Sequence, residues 1–73
     1  MRELEVALTA ATRRIKDGAR TIARLQAEIA RLQGQRKDIS KARRLLGRYH
    51  TMQLSLVAEQ ERLRKELTRL LKR

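Results

Sequence analysis

A seven-residue apolar repeat runs through the first half of the chain and stops at a glycine. Leu4, Leu8, Ala11, Ile15, Gly18, Ile22, Leu25, Ile29 and Leu32 alternate in steps of four and three. That spacing lines one stripe of an α-helix that faces another helix. Leu8, Ile15, Ile22 and Ile29 share one seam position; Ala11, Gly18, Leu25 and Leu32 share the other, so a facing helix is expected to approach most closely near Gly18. A second stripe, Ala42, Leu46, Tyr49, Gln53, Leu56, Gln60, Leu63, Leu67 and Leu70, is out of phase with the first. Continuing the first through the break would put Arg36, Arg43, His50 and Gln60 inside. Within the break, Gly34 suits a helix C-cap, and Asp38 or Ser40 an N-cap. The pattern predicts a helix over about 2–33, a loop over about 34–38 and a second helix over about 39–72.

Folding the chain at residue 37 brings the two stripes into nine layers without a slip, from Leu4 with Leu70 to Leu32 with Ala42. Within that series Ile15 pairs with Gln60, Gly18 with Leu56 and Ile22 with Gln53. The expected fold is all-α: a two-helix antiparallel coiled-coil hairpin with arms of about 46–50 Å. Two features oppose it locally. Gly47 costs a helix interior about 1 kcal/mol and invites a kink, and His50 to Leu56 alternates like a strand. At 73 residues, a chain seldom buries enough apolar surface to hold a fold alone. With no Cys and one His, neither a disulfide nor a multi-histidine metal site is on offer. A partner chain is therefore expected, either by dimerising into a four-helix bundle or by packing on a larger protein. Gln53 and Gln60, polar residues at seam positions, are expected to fix register.

Nineteen Lys/Arg against eight Asp/Glu give a formal net charge of +11. No apolar run approaches the roughly 20 residues of a membrane span, and no signal-peptide core follows Met1-Arg2, so the expected location is the cytoplasm. There is no Gly-rich phosphate loop, no nucleophile triad and no metal-ligand spacing. Glu59 and Glu61 are too close on one helix to straddle a substrate. The expectation is a protein that is not an enzyme and takes no cofactor or metal.

The cations gather in two places. On the first helix Arg13, Lys16, Arg20, Arg24 and Arg31 fall within roughly 80° of one another, nearly opposite the seam. At the turn Arg31, Arg36, Lys37, Lys41, Arg43, Arg44 and Arg48 are offset only by Glu28 and Asp38. Lys41, Arg43 and Arg44 stand in the first turn of a helix, where the dipole disfavours positive charge. A local penalty without structural return points to a partner that supplies negative charge. The C-terminal cations from Arg62 onward have a structural reason, since they complement a helix C-terminus.

Between Tyr49 and Ala58 the chain carries no formal charge. Tyr49, Met52, Leu54, Leu56 and Val57 cover more of the helix than one neighbour buries, which marks them as a candidate protein interface. Ala19, Ala23 and Ala30 form a small-residue strip beside the first seam. In architecture, though in no shared motif, the hairpin is similar to small dimeric RNA-binding four-helix bundles of the plasmid copy-control type. A basic-zipper reading of Arg36 to Arg48 with Leu56, Leu63 and Leu70 lacks that family's Asn and paired Ala.

Two functions follow as expectations. The first is a small basic regulatory or accessory protein that binds nucleic-acid phosphates, DNA or RNA, with low sequence specificity. The absence of Phe and Trp argues against base stacking. The second is an adaptor or inhibitor of the phage or mobile-element type, docking on an acidic surface of a larger nucleic-acid-processing enzyme. Neither involves a membrane.

Overall fold

The computed structural model describes residues 2–72. Two α-helices make up the fold: α1, Arg2–Gly34, and α2, Ser40–Leu71, packed antiparallel along their whole length. The hairpin is 59 Å long and 14 Å across. All eighteen stripe residues are at least partly covered, and only Ala11, at 5 % exposure, is fully buried. Ile39, which the second stripe as read from sequence omits, is also partly covered. It lies seven residues before Leu46 and extends the same seam position by one step.

Gly47 neither kinks nor ends α2, and the strand-like run His50–Leu56 is helical. With no second strand to pair with, alternation loses to a seam that wants a helix. Threonines inside the helices return their hydroxyls to the carbonyl four residues back: Thr9 to Glu5, Thr12 to Leu8, Thr21 to Asp17 and Thr51 to Gly47. Their polar groups are thereby satisfied without breaking the helix.

The turn departs from expectation in one respect. Gly34 does not serve as the left-handed cap; it is the last helical residue, and no glycine has positive φ. The left-handed position falls on Arg36, with φ 58°. Arg36 N–H donates to the Gln33 carbonyl at 3.0 Å, and Lys37 N–H to the Leu32 carbonyl at 2.9 Å. Those two bonds are a Schellman motif, which normally places Gly where Arg36 stands. An L-residue there costs about 1–2 kcal/mol, so Arg36→Gly is expected to raise unfolding stability by about 1 kcal/mol. Chemical denaturation at fixed protein concentration checks this, and a loss of stability would contradict it.

Past the turn, Ile39 occupies the N-cap position without a side-chain cap bond. Asp38 does the capping from one residue earlier: its Oδ1 accepts from Ser40 N–H at 2.9 Å and from Ser40 Oγ at 2.7 Å. These bonds hold the Asp38 carboxyl below its ordinary range.

The two seam glutamines bond beyond the residues that the numbering pairs them with, Gln60 past Ile15 at Thr12 and Gln53 past Ile22 at the Ile15 backbone. Gln60 Nε2 donates to Thr12 Oγ1 at 3.0 Å, and Gln53 Nε2 donates to the Ile15 carbonyl at 2.9 Å. The Gln53 amide lies in the space that a side chain at position 18 would fill. A Cβ on Gly18 would collide with Gln53 Oε1. Oε1 itself is buried with no hydrogen-bond partner. Close approach at Gly18 is thus used by a polar knob from α2, and two polar layers lock the register.

That contact gives a coupled prediction. Gly18→Ala gains about 1 kcal/mol of helix propensity but evicts the Gln53 amide and its hydrogen bond, worth about the same. The single change is expected to be near neutral. In a Gln53→Ala background the propensity gain is expected to appear in full. A double-mutant cycle on denaturation midpoints measures the difference, and equal effects in both backgrounds would contradict the contact.

Candidate nucleic-acid interface

The candidate surface begins with what the acids do. Four of the eight carboxylates pair with the arginine three residues ahead on the same helix: Glu28 with Arg31, Glu59 with Arg62, Glu61 with Arg64 and Glu66 with Arg69. The Glu28–Arg31 pair is two-pronged, with Nε donating to Oε2 at 3.0 Å and Nη2 to Oε1. The hydrogen bond from Arg31 lowers the Glu28 carboxyl, and the same bond keeps Arg31 more firmly protonated. Arg31 therefore differs from the other expected site residues, because its charge is already answered.

Three of those four pairs stand on the second half of α2, toward the open end. Residues 19–56, the half nearest the turn, carry nine cations and two carboxylates. One of the two, Glu28, is held by Arg31, and the other, Asp38, caps α2. Among the described residues Arg13, Lys16, Arg20, Arg24, Arg36, Lys37, Lys41, Arg43, Arg44 and Arg48 have no carboxylate within ion-pair distance, and all are exposed. The turn cations lie within about 13 Å of the end of the hairpin, at 1.5 Å per residue.

These ten do not form one surface. Arg13, Lys16, Arg20 and Arg24 stand on the back of α1, opposite its seam. Lys41, Arg44 and Arg48 recur at three and four residues on the back of α2, opposite its own seam. Because the seams face each other, the two backs look in opposite directions. Arg36 and Lys37, in the turn, are the residues that connect them, and Arg43 stands apart on the flank of α2, in the row of His50 and Val57.

The uncharged window divides in the same way. Tyr49 and Leu56 belong to the seam, are partly covered by α1, and are not free as an outward interface. Met52, 54 % exposed, lies over an open groove that it shares with Tyr49, Leu56, Gly18 and Thr21, rimmed by Arg14 and Asp17. Leu54, two residues on, points about 200° away and is 73 % exposed, with Val57 on its side. The five expected interface residues therefore serve three directions, because a helix turns through about 100° per residue.

Among the described residues no group of three or more His, Asp or Glu is placed to hold a metal ion, and no helix is long and apolar enough to cross a membrane. No protein-family model, curated protein or solved structure matches the chain.

Proposed function

We propose that the chain is a non-enzymatic regulatory or accessory protein that binds nucleic-acid phosphates through the turn half of the hairpin. The observation that carries this reading is the absence of any uncommitted carboxylate between residues 19 and 56, beside nine cations. Six of these, Arg36, Lys37, Lys41, Arg43, Arg44 and Arg48, crowd the turn and repel one another. Three of them sit in the first turn of α2, where the one carboxylate at hand, Asp38, stands just before the helix and is engaged in capping Ser40. A polyanion relieves both penalties at once. Guanidinium groups suit phosphate oxygens because their planar fork donates two parallel hydrogen bonds.

The rod shape favours backbone contact over base reading. No aromatic platform is present for stacking, and the cations alternate around the end of the rod instead of presenting an array to base edges. Affinity is therefore expected to depend on charge and salt, and little on sequence. Fluorescence anisotropy with a labelled DNA duplex and an RNA hairpin, both at 0.15 M salt, tests it. The reading expects a Kd tighter than the 10⁻⁶ M that bounds ordinary non-specific contact, at about 0.1 µM or below, and little change when the sequence is scrambled. Binding no tighter than about 10⁻⁵ M to both would overturn it.

The groove under Met52 favours the second reading, an adaptor on an acidic protein surface. There Met52 would be the anchor, and the turn cations would steer. Met52→Lys separates the two, since it removes an anchor while adding a cation.

A further inference from the structure

A hairpin this open leaves a large surface exposed. The chain presents 6105 Å² to solvent, where a compact protein of its 8.6 kDa presents about 4,700 Å². A compact pair of such chains presents about 7,800 Å². Pairing two hairpins to that compactness would remove about 4,400 Å² from water; side-by-side rods that keep their 59 Å length remove less, and about half of that figure already reaches the roughly 2,000 Å² at which obligate homodimers begin.

The two flanks of the seam differ in what they offer for such a contact. One carries the groove rimmed by Arg14 and Asp17, with Glu28, Glu59 and Glu66 along it. The other is marked by the Gln60–Thr12 bond and by Arg64, which lines a depression with Thr12. One heptad from Thr12 and Arg64 toward the turn come Ala19 and Val57, and one heptad further Gln26 and His50. Between those levels the outer rows hold Ala23 on α1 and Leu54 on α2. From Ala19 to Ala30 and from Gly47 to Val57 this flank has no formal charge, over about 16 Å; one step nearer the turn, Arg43 stands level with Gln33 and ends the uncharged stretch.

We infer that the chain is a homodimer that buries this uncharged flank about a two-fold axis parallel to the long axis of the hairpin. The flank carries both a projection and its receptacle. Leu54 and Val57 stand out on α2, at 73 % and 42 % exposure, and alanines lie level with them on α1. A lengthwise two-fold lays α2 of each copy on α1 of the other, so that Leu54 meets the partner's Ala23. A crosswise two-fold would lay leucine on leucine and alanine on alanine, leaving a gap beside a clash. Self-complementarity of this kind belongs to an isologous interface. The charge distribution agrees, because two chains of +11 can approach closely only where neither presents a cation.

The dimer has a consequence for the surface described above, and this consequence alone rests on the phosphate-binding reading. Within one hairpin the cations of α1 and of α2 face opposite ways. In the lengthwise dimer the back of α1 lies on the same edge as the back of the partner's α2. Arg20 and Arg24 are then followed toward the turn, beginning about 6 Å beyond Arg24, by the partner's Arg48, Arg44 and Lys41, and each edge becomes one continuous basic face.

Sedimentation equilibrium tests the inference in 0.3 M salt, where the Debye length is about 6 Å and repulsion between the copies is screened. The expected result is a dimer at micromolar protein. Leu54→Arg is expected to weaken it at least tenfold, while Met52→Arg, the same change on the opposite flank, leaves it intact. A wild-type monomer at 100-fold higher concentration (about 0.1 mM), or equal weakening by both variants, would overturn the proposal. Should Leu54→Arg unfold the chain, a label on Gln35→Cys in the otherwise unchanged protein decides, as the sequence has no other cysteine. Spin labels there are expected within about 30 Å, roughly three helix diameters. A separation of about 40 Å or more, which a crosswise axis at the level of Leu54 gives, or no intermolecular coupling, would overturn the lengthwise dimer. None of these readouts requires nucleic acid, so they stand apart from any failure of the phosphate-binding reading.

Discussion

Replacing Arg36, Lys37, Lys41, Arg43, Arg44 and Arg48 together by Gln is expected to weaken duplex binding by about 10³-fold or more at 0.15 M salt. Each cation that neutralises a phosphate adds about 0.9 to the slope of log K against log salt, so six of them account for a slope near five. Removing them removes that slope along with the affinity. Net charge alone predicts something different. In the contrasting variant Arg62, Arg64 and Arg69 become Gln, which also deletes cations, but these are held by Glu59, Glu61 and Glu66 at the open end. Its slope is expected to fall by less than one. If both variants lose slope in proportion to the charge removed, the turn has no special role and the protein is a diffuse polycation.

The fold should tolerate the loss of the six turn cations. All six are exposed and none makes an ion pair among the described residues. Circular dichroism on the variant is expected to keep the helical signal, with a small gain in stability from reduced repulsion in the first turn of α2.

Gln53→Leu with Gln60→Leu is expected to change stability the most. Gln53 Oε1 is buried with no partner, a defect of about 1–3 kcal/mol, and each leucine adds apolar burial in a seam position. Together the changes are expected to gain about 2–4 kcal/mol, raising Tm by at least 10 °C in a chain of this size. The loss appears elsewhere. Polar seam residues specify one register at some expense in stability, and the bonds to Thr12 and to the Ile15 carbonyl are the ones that do so here. Without them the helices gain alternatives, and sedimentation is expected to show a spread of oligomers in place of one species. A lowered Tm would mean that the glutamine bonds contribute more than the leucines do.

The hairpin was legible because its signal is periodic and redundant. Eighteen stripe residues, two phases and one break leave few ways to fold, and a local conflict such as Gly47 cannot outweigh nine layers. What escaped was not periodic. That Arg36, and not Gly34, takes the left-handed backbone depends on where the last seam layer releases the chain, one or two residues beyond any propensity signal. That Gln53 lies over Gly18 depends on the reach of one flexible side chain. The pairing of Arg31 with Glu28 was readable from their spacing, yet acids three residues before an arginine are common enough to pass unnoticed. The division of the uncharged window and the opposition of the two basic backs were also within reach. Both follow from 100° per residue once the hairpin is accepted, and both were hidden by reading clusters along the chain instead of around the helix.

The proposed function requires that the unpaired cations of the turn half meet phosphates. The most direct test follows duplex binding by anisotropy from 0.05 to 0.3 M salt, beside an acidic polypeptide, polyglutamate, as competitor. The account predicts a straight line of slope −5 or steeper for the duplex, with polyglutamate displacing it only at large excess. A slope shallower than −2, or displacement by polyglutamate at equal charge, would contradict it and assign the turn to an acidic protein surface.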